Sequence, residues 1–382
     1  MPSSNRAAVI DRSVFKRVGQ AVAEGALQHD RDATLDWRSW QLMADLGMWK
    51  IPVSVEHGGL GGTWIECVEC LDVVARECRD LGFLITVLGH IGSLRLLCGY
   101  GTAQQIQRWV PRLLKGEIAV TAMTESSGGS DLSRMQMSAV RQEGGYRLSG
   151  RKKHITNAPV ATMGMLAGRI PDLGLKKDIT LFFMDLKVPG VSVGAKESNL
   201  GIRTSPTADL ELSNVVVDEG NIIGAPGAGL GILYEIISFE RALYGVIAAG
   251  LIDGMTDTAL ARSLERQAFG RQIAAYQYIQ GRLTEMKMSS LICRNLTYVA
   301  LEHLAEGDPE ASILCSTAKY QGAEYLMKAA ESLMQIHGHG GYSDPEISKY
   351  LRDAAGMKIA GGTNDIQRVN IFNQMLKGGM RP

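Results

Sequence analysis

Two stretches of this chain carry groups suited to proton transfer. In Tyr234-Glu235-Ile236-Ile237-Ser238-Phe239-Glu240-Arg241-Ala242-Leu243, one carboxylate, Glu240, sits among Ile236, Ile237, Phe239 and Leu243. Desolvation in such a setting raises a carboxylate's pKa and makes it a better base near neutral pH. Far downstream, Ile359-Ala360-Gly361-Gly362-Thr363-Asn364-Asp365 reads as a turn opening a helix. Gly361 offers a backbone N–H there but no side-chain acid. A buried base paired with fixed N–H donors can remove a weakly acidic proton beside a carbonyl and steady the enolate oxygen that develops.

These groups must be positioned by a scaffold whose periodicity changes twice. Residues 1–116 read as helices: Leu35, Trp37, Trp40, Leu42, Met43 and Leu46 recur at helical spacing before Gly47. After the turn His57-Gly58-Gly59-Leu60-Gly61-Gly62, helices follow from Trp64, over 83–99 and over 103–114. Residues 117–226 change to short strands, at 119–124, 146–149, 180–186 and 209–212, punctuated by Gly, Asn, Asp and Pro. No helices alternate with them, which argues against a Rossmann unit. From 227 to 382 the helical period returns in long segments, 228–265, 273–306, 310–337, 343–357 and 364–377, as in an antiparallel bundle. The expected fold is α+β: an N-terminal helical domain, a central β-barrel or sandwich, and a C-terminal four-helix bundle.

With 382 residues, 45% of them apolar, the chain can bury a large core. Lys+Arg and Asp+Glu balance at 40 each, giving no bias toward nucleic acid or a membrane surface. No apolar run reads as long enough to span a bilayer, and Asp11, Arg12, Lys16 and Arg17 break any signal-peptide pattern. The expected location is the cytoplasm. Cys67 and Cys70 form a C-x-x-C inside a helical stretch with no second ligand pair, so they read as core residues. His337 and His339 likewise lack partners at ligand spacing, and no metal is expected.

A series of motifs spans nearly the whole chain. It runs through Thr124-Glu125-Ser126-Ser127-Gly128-Gly129-Ser130-Asp131, Gly150-Arg151-Lys152-Lys153-His154-Ile155-Thr156-Asn157-Ala158 and Arg266-Gln267-Ala268-Phe269-Gly270 with Gln277. Gln335-Ile336-His337-Gly338-His339-Gly340-Gly341-Tyr342 and Arg352-Asp353 with Gly362-Thr363 follow. Taken in order, these resemble the acyl-CoA dehydrogenase superfamily. The resemblance implies FAD, with Met123, Thr124, Ser130, His154 and Thr156 against the flavin. Arg266, Phe269 and Gln277 would reach its pyrophosphate and adenine side. Gln335, Gly338 and His339 would come from a neighbouring subunit, and Thr363 and Asp365 from the start of the last helix. His154 stands where many members place a tryptophan.

Many members also carry the catalytic glutamate just before Gly-Thr, where this chain has Gly361. Glu240 matches the helix position used by the isovaleryl- and long-chain-type members, so the resemblance makes it the base. Gly361 contributes an N–H, and Ser130, Arg241 and Gly362 would meet the thioester. The same logic suggests that a carboxylate at 361 could replace one at 240. The implied reaction is α-proton abstraction with β-hydride transfer to flavin N5, on acyl-CoA or on an acyl carrier protein thioester. Lys115, Arg151, Lys152 and Lys153 are candidates for a basic docking patch. An electron-transfer flavoprotein or O₂ would take the electrons, and a homo-oligomer, a tetramer, is expected. The alternative is a flavin-dependent monooxygenase or oxidase on the same fold, which needs no thioester base.

Overall fold

Residues 10–173 and 178–379 are described here from a computed structural model. The N-terminal helices are α1 (Lys16–Asp32), α2 (Trp37–Asp45), α3 (Trp64–Cys78), α4 (Leu81–Tyr100) and α5 (Ala103–Leu114). Local chemistry sets their starts. Thr63 and Glu66 form a reciprocal capping box on α3, Thr102 and Gln105 do so on α5, and Asp80 accepts from Phe83 N to open α4. The left-handed Gly47, at φ +84°, follows the end of α2 and breaks the run where the sequence places its stop.

Next come β1 (Ala119–Ala122), β2 (Ser138–Gln142), β3 (Gly145–Thr156), β4 (Met163–Arg169), β5 (Ile179–Asp185), β6 (Val191–Val193), β7 (Thr207–Asp218) and β8 (Ile222–Ile223). They form one mixed sheet in the order β6-β7-β3-β2-β4-β5-β8, with β1 parallel to β4. Two strands, β2 and β4, lack a legible alternation. All of β4 from Met163 to Gly168 is buried, so polar and apolar residues do not take turns along it.

The C-terminal part holds α6 (Gly229–Glu265), the short hairpin β9 (Gln267–Ala268) and β10 (Arg271–Gln272), α7 (Gln277–Glu306), α8 (Ala311–His337), α9 (His339–Ser343), α10 (Pro345–Met357) and α11 (Asn364–Gly379). The central helix α6 is buried on several sides: Ile236, Phe239, Leu243, Val246 and Ile247 are all core residues. It packs against α3 and α4 on one side and α7 and α8 on the other.

Two expectations are corrected. Helix α4 is in fact long and apolar enough to cross a membrane, but 83% of that stretch is buried inside the protein, where it serves as a core helix. The basic patch does not form. Lys152 is fully buried and pairs with Glu125 at 2.7 Å, while Arg151 and Lys153 both face Asp209. Lys152 falls on the same inward side of β3 as Tyr146 and Leu148, and the register break after it, before Ile155, turns His154, at φ +57°, out toward solvent. The C-x-x-C reading holds in that Cys67 and Cys70 are free, buried thiols, both pushed up chiefly by desolvation.

Candidate active site

Helix α6 presents Glu240 to α4 at Gly92, where a β-carbon would force the carboxylate to move. A β-carbon on Gly92 would overlap Oε1 of Glu240 and stand 2.9 Å from its Cδ. The two helices are clasped nearby by Arg95 of α4, which donates to Glu235 of α6 at 2.5 and 3.1 Å. Its guanidinium also lies 4.3 Å from the Phe239 ring centroid, and Phe239 meets Trp64 edge-on.

Glu240 is half-buried overall, but its Oε1 is sealed from solvent and has no hydrogen-bond partner. Desolvation pushes its carboxyl up to about 8, with the charge of Arg241 acting the other way. The Glu–Arg pair that would make Glu240 merely structural is not formed as a hydrogen bond: the Arg241 Nε is also buried and unpartnered. Burial lowers the Arg241 pKa. The neighbouring Tyr244, one turn on from Glu240, has its hydroxyl pKa raised by burial and then by Glu240.

The Gly361–Gly362 loop closes over this face of α6. Gly361 has φ +69° and Gly362 φ +89°, so both are left-handed. A β-carbon on Gly361 would meet the Tyr244 ring at 2.6–3.0 Å, and one on Gly362 would lie 3.6 Å from Arg241 Nη2. Among the described residues neither loop N–H has a partner. The loop therefore packs on Tyr244 and Arg241, close neighbours of Glu240 along α6. The earlier notion that a carboxylate at 361 could stand in for Glu240 is corrected: Tyr244 occupies its space.

The sheet approaches from a third side. Asn157, just past β3, donates from Nδ2 to the Thr86 carbonyl of α4 at 3.4 Å, and its Oδ1 is buried without a partner. A β-carbon on Gly89, one turn before Gly92, would lie 3.4 Å from that Nδ2. Lys153 N donates to Thr124 O at 2.8 Å, which sets Met123 and Thr124 beside the end of β3 that carries His154 and Thr156. Ser130 is exposed on the turn after Thr124. His154 Nδ1 meets Glu197 at 2.8 Å, and its ligand atoms, those of Glu197 and those of Asp209 lie within 4.8 Å of one another. Asp209 is already shared by Arg151 and Lys153, so this trio makes no case for a metal.

The remaining predicted residues stand elsewhere. Arg266 follows α6 and is exposed, about 39 Å from Glu240 at 1.5 Å per helical residue. Phe269, 97% exposed at φ +50°, and Gln277 lie beside it. Gln335, Gly338 and His339, at the end of α8, are exposed too. Thr363 Oγ1 accepts from Ile366 N and caps α11, and Asp365 pairs with Arg368 in the open. Sequence reasoning missed Gly92, Tyr244, Asn157 and Gln367. Two of them left a signal: Asn157 lies inside the Gly150–Ala158 motif, and Gly92 is a glycine inside an otherwise apolar helix.

Comparison with known proteins gives this geometry its family. The chain matches the acyl-CoA dehydrogenase N-terminal domain over residues 7–117, its middle domain over 120–215 and its C-terminal domain over 227–376. The chain belongs to the acyl-CoA dehydrogenase family. It is 30% identical over 372 residues to the mitochondrial 2-methylacyl-CoA dehydrogenase of Solanum tuberosum, covering 96% of this chain and 89% of that one. Among solved structures of the same fold, the prolyl acyl carrier protein oxidase AnaB superposes with a TM-score of 0.91 at 25% identity, over 98% of this chain and all of that one. PigA, solved with FAD and proline, superposes at 0.90 and 25% over the full length of both. Asn157 at the end of β3, α4 and α6 meet at one junction. That junction holds three buried polar atoms without protein partners, Asn157 Oδ1, Glu240 Oε1 and Arg241 Nε. They suit a bound cofactor and substrate.

Proposed function

We propose that this enzyme dehydrogenates an acyl thioester, with Glu240 taking the α-proton and a Cα=Cβ double bond as product. The observation that carries the reading is the unpaired, desolvated Oε1 of Glu240, on the same helix as Tyr244 and Arg241, which the Gly361–Gly362 loop packs against. The cofactor is FAD, which when bound accepts the β-hydrogen together with both electrons of its bond. Met123, Thr124, Ser130, His154 and Thr156 would line its ring, and Thr363 and Asp365 would approach it from the last helix. Glu240 holds the abstracted proton, and the loop N–H groups orient the thioester carbonyl and stabilise charge on its oxygen. Arg241 adds a fixed positive charge on the same side.

Arg266, Phe269, Gln277, Gln335, Gly338 and His339 stand too far from Glu240 to serve the same active site. They would instead hold the phosphates and adenine of a second copy's cofactor, within a homo-oligomer. Exposure of Phe269, Tyr278 and Tyr342 at 97%, 92% and 78% supports a covered surface there.

The substrate is carried either on CoA, as the name of the Solanum relative suggests, or on an acyl carrier protein, as the name AnaB carries suggests. Isovaleryl-CoA and a prolyl carrier-protein thioester, each mixed anaerobically with the FAD-loaded enzyme, separate the two. Bleaching of the flavin with a product two hydrogens lighter supports dehydrogenation. Bleaching only by NAD(P)H, with an oxygenated product in air, would favour the monooxygenase. Peroxide formed in air would identify O₂ as acceptor, and its absence an electron-transfer flavoprotein.

A further inference from the structure

The Gly361–Gly362 loop is braced from below by a buried lysine that makes no contact with Glu240. Lys319 of α8 is fully buried, and its Nζ donates to Asn364 Oδ1 at 2.8 Å and to the Lys358 carbonyl at 3.4 Å. These two residues are the feet of the loop, and Asn364 N closes it by donating to Lys358 O at 3.0 Å. Glu324 ties the same feet from outside, accepting from Asn364 Nδ2 at 2.8 Å and meeting Lys358 Nζ at 3.1 Å.

Inside the loop, the fully buried Gln367 donates from Nε2 to the carbonyls of Gly362 at 2.9 Å and Gly361 at 3.3 Å. A trans peptide points its N–H opposite to its carbonyl. Drawing the Gly361 carbonyl toward Gln367 therefore turns the Gly362 N–H away from α11. The brace fixes the height of the loop and Gln367 fixes its twist.

A lysine is a costly way to fill space here. The acceptors of its Nζ are neutral, and the charged groups acting on it are Arg241 from α6 and Glu324 from its own helix. Burial, and then Arg241, pull its amine down to about 7. The Arg241 guanidinium, the Lys319 amine and the N-terminus of α11 thus gather under one loop, where a thioester oxygen would gain negative charge.

We propose that Lys319 is a positioning residue: by clamping Lys358 and Asn364 it sets the aim of the Gly361 and Gly362 N–H groups at the thioester carbonyl. This rests on the thioester reading above. The test compares the FAD-loaded parent with Lys319→Met and Lys319→Arg, and with Asn364→Ala should the methionine variant not fold. Hydrogen exchange of residues 358–367 should quicken at least about tenfold in Lys319→Met, as expected for loss of a charge-assisted bond, with α6 and the sheet unchanged. With isovaleryl-CoA or the prolyl carrier-protein thioester, kcat should fall about 10²-fold, as a small misplacement of reacting groups does. KM should hold, and Lys319→Arg should recover part of both effects. Exchange and kcat within about twofold of the parent, or faster exchange with unchanged kcat, would overturn the proposal. If neither probe reduces the parent's flavin, the thioester reading fails, while unchanged exchange alone would still reject Lys319 as the brace.

Discussion

A β-carbon on Gly361 would stand 2.6 Å from Cε2 of Tyr244, so base helix and loop share a space that only one side chain can fill. Tyr244 fills it, and the carboxylate is confined to Glu240 on the same helix. The combination Glu240→Gln with Gly361→Glu should therefore stay inactive. Adding Tyr244→Gly opens the space and should return part of the rate, despite the strain of a non-glycine residue at φ +69°. Steady-state rates of the double and triple variants decide this. An active double variant would show that the loop moves aside for a side chain.

Gly92 and Glu240 give a second, sharper separation of stability from activity. Alanine is favoured over glycine in a helix by about 1 kcal/mol, so Gly92→Ala should leave the Tm unchanged or raised. Its β-carbon must displace the Glu240 carboxylate, however, and kcat should drop about 10²-fold. Thermal denaturation and kcat measured on one preparation check the split. A variant that unfolds early would make Gly92 a packing position only.

The raised pKa of Glu240 has consequences in two pH profiles. As a base it must be ionised, so kcat/KM, which reports the free enzyme, should rise through pH about 8. As a buried carboxyl whose folded pKa exceeds its unfolded value, it favours the folded state when protonated. That advantage is complete below the usual 4.5 and is lost as pH climbs through about 8. Glu240→Gln should thus match the parent's Tm at acid pH and exceed it at pH 9. A rate profile with its acid limb near 4–5 and no Tm gap at pH 9 would place the carboxylate in water.

The helix–sheet–helix plan was legible because the long helices show a strong period, and α6, α7 and α8 begin and end close to where that period does. Strand β4 was not, because burial along its whole length erases alternation. Glu240 and Gly361 were singled out by the motifs together with an apolar setting. Lys319 was invisible for the opposite reason: a single cation on a helix ordinarily marks a solvated face, and only its partners Asn364 and Lys358 show that it points inward. Lys152 misled in the same way: it takes the inward side of β3 with Tyr146 and Leu148, and only its partner Glu125 shows why a lysine can sit there.

The central claim is that Glu240 is the base, and anaerobic stopped-flow bleaching of the flavin tests it most directly. Glu240→Gln keeps the shape beside Gly92 and removes the proton acceptor. With a thioester that reduces the parent, bleaching should slow by about 10²–10⁴-fold, the range for a lost general base, while FAD content stays at the parent's level. A Glu240→Gln enzyme that bleaches as fast as the parent would make Glu240 a structural residue and contradict the account.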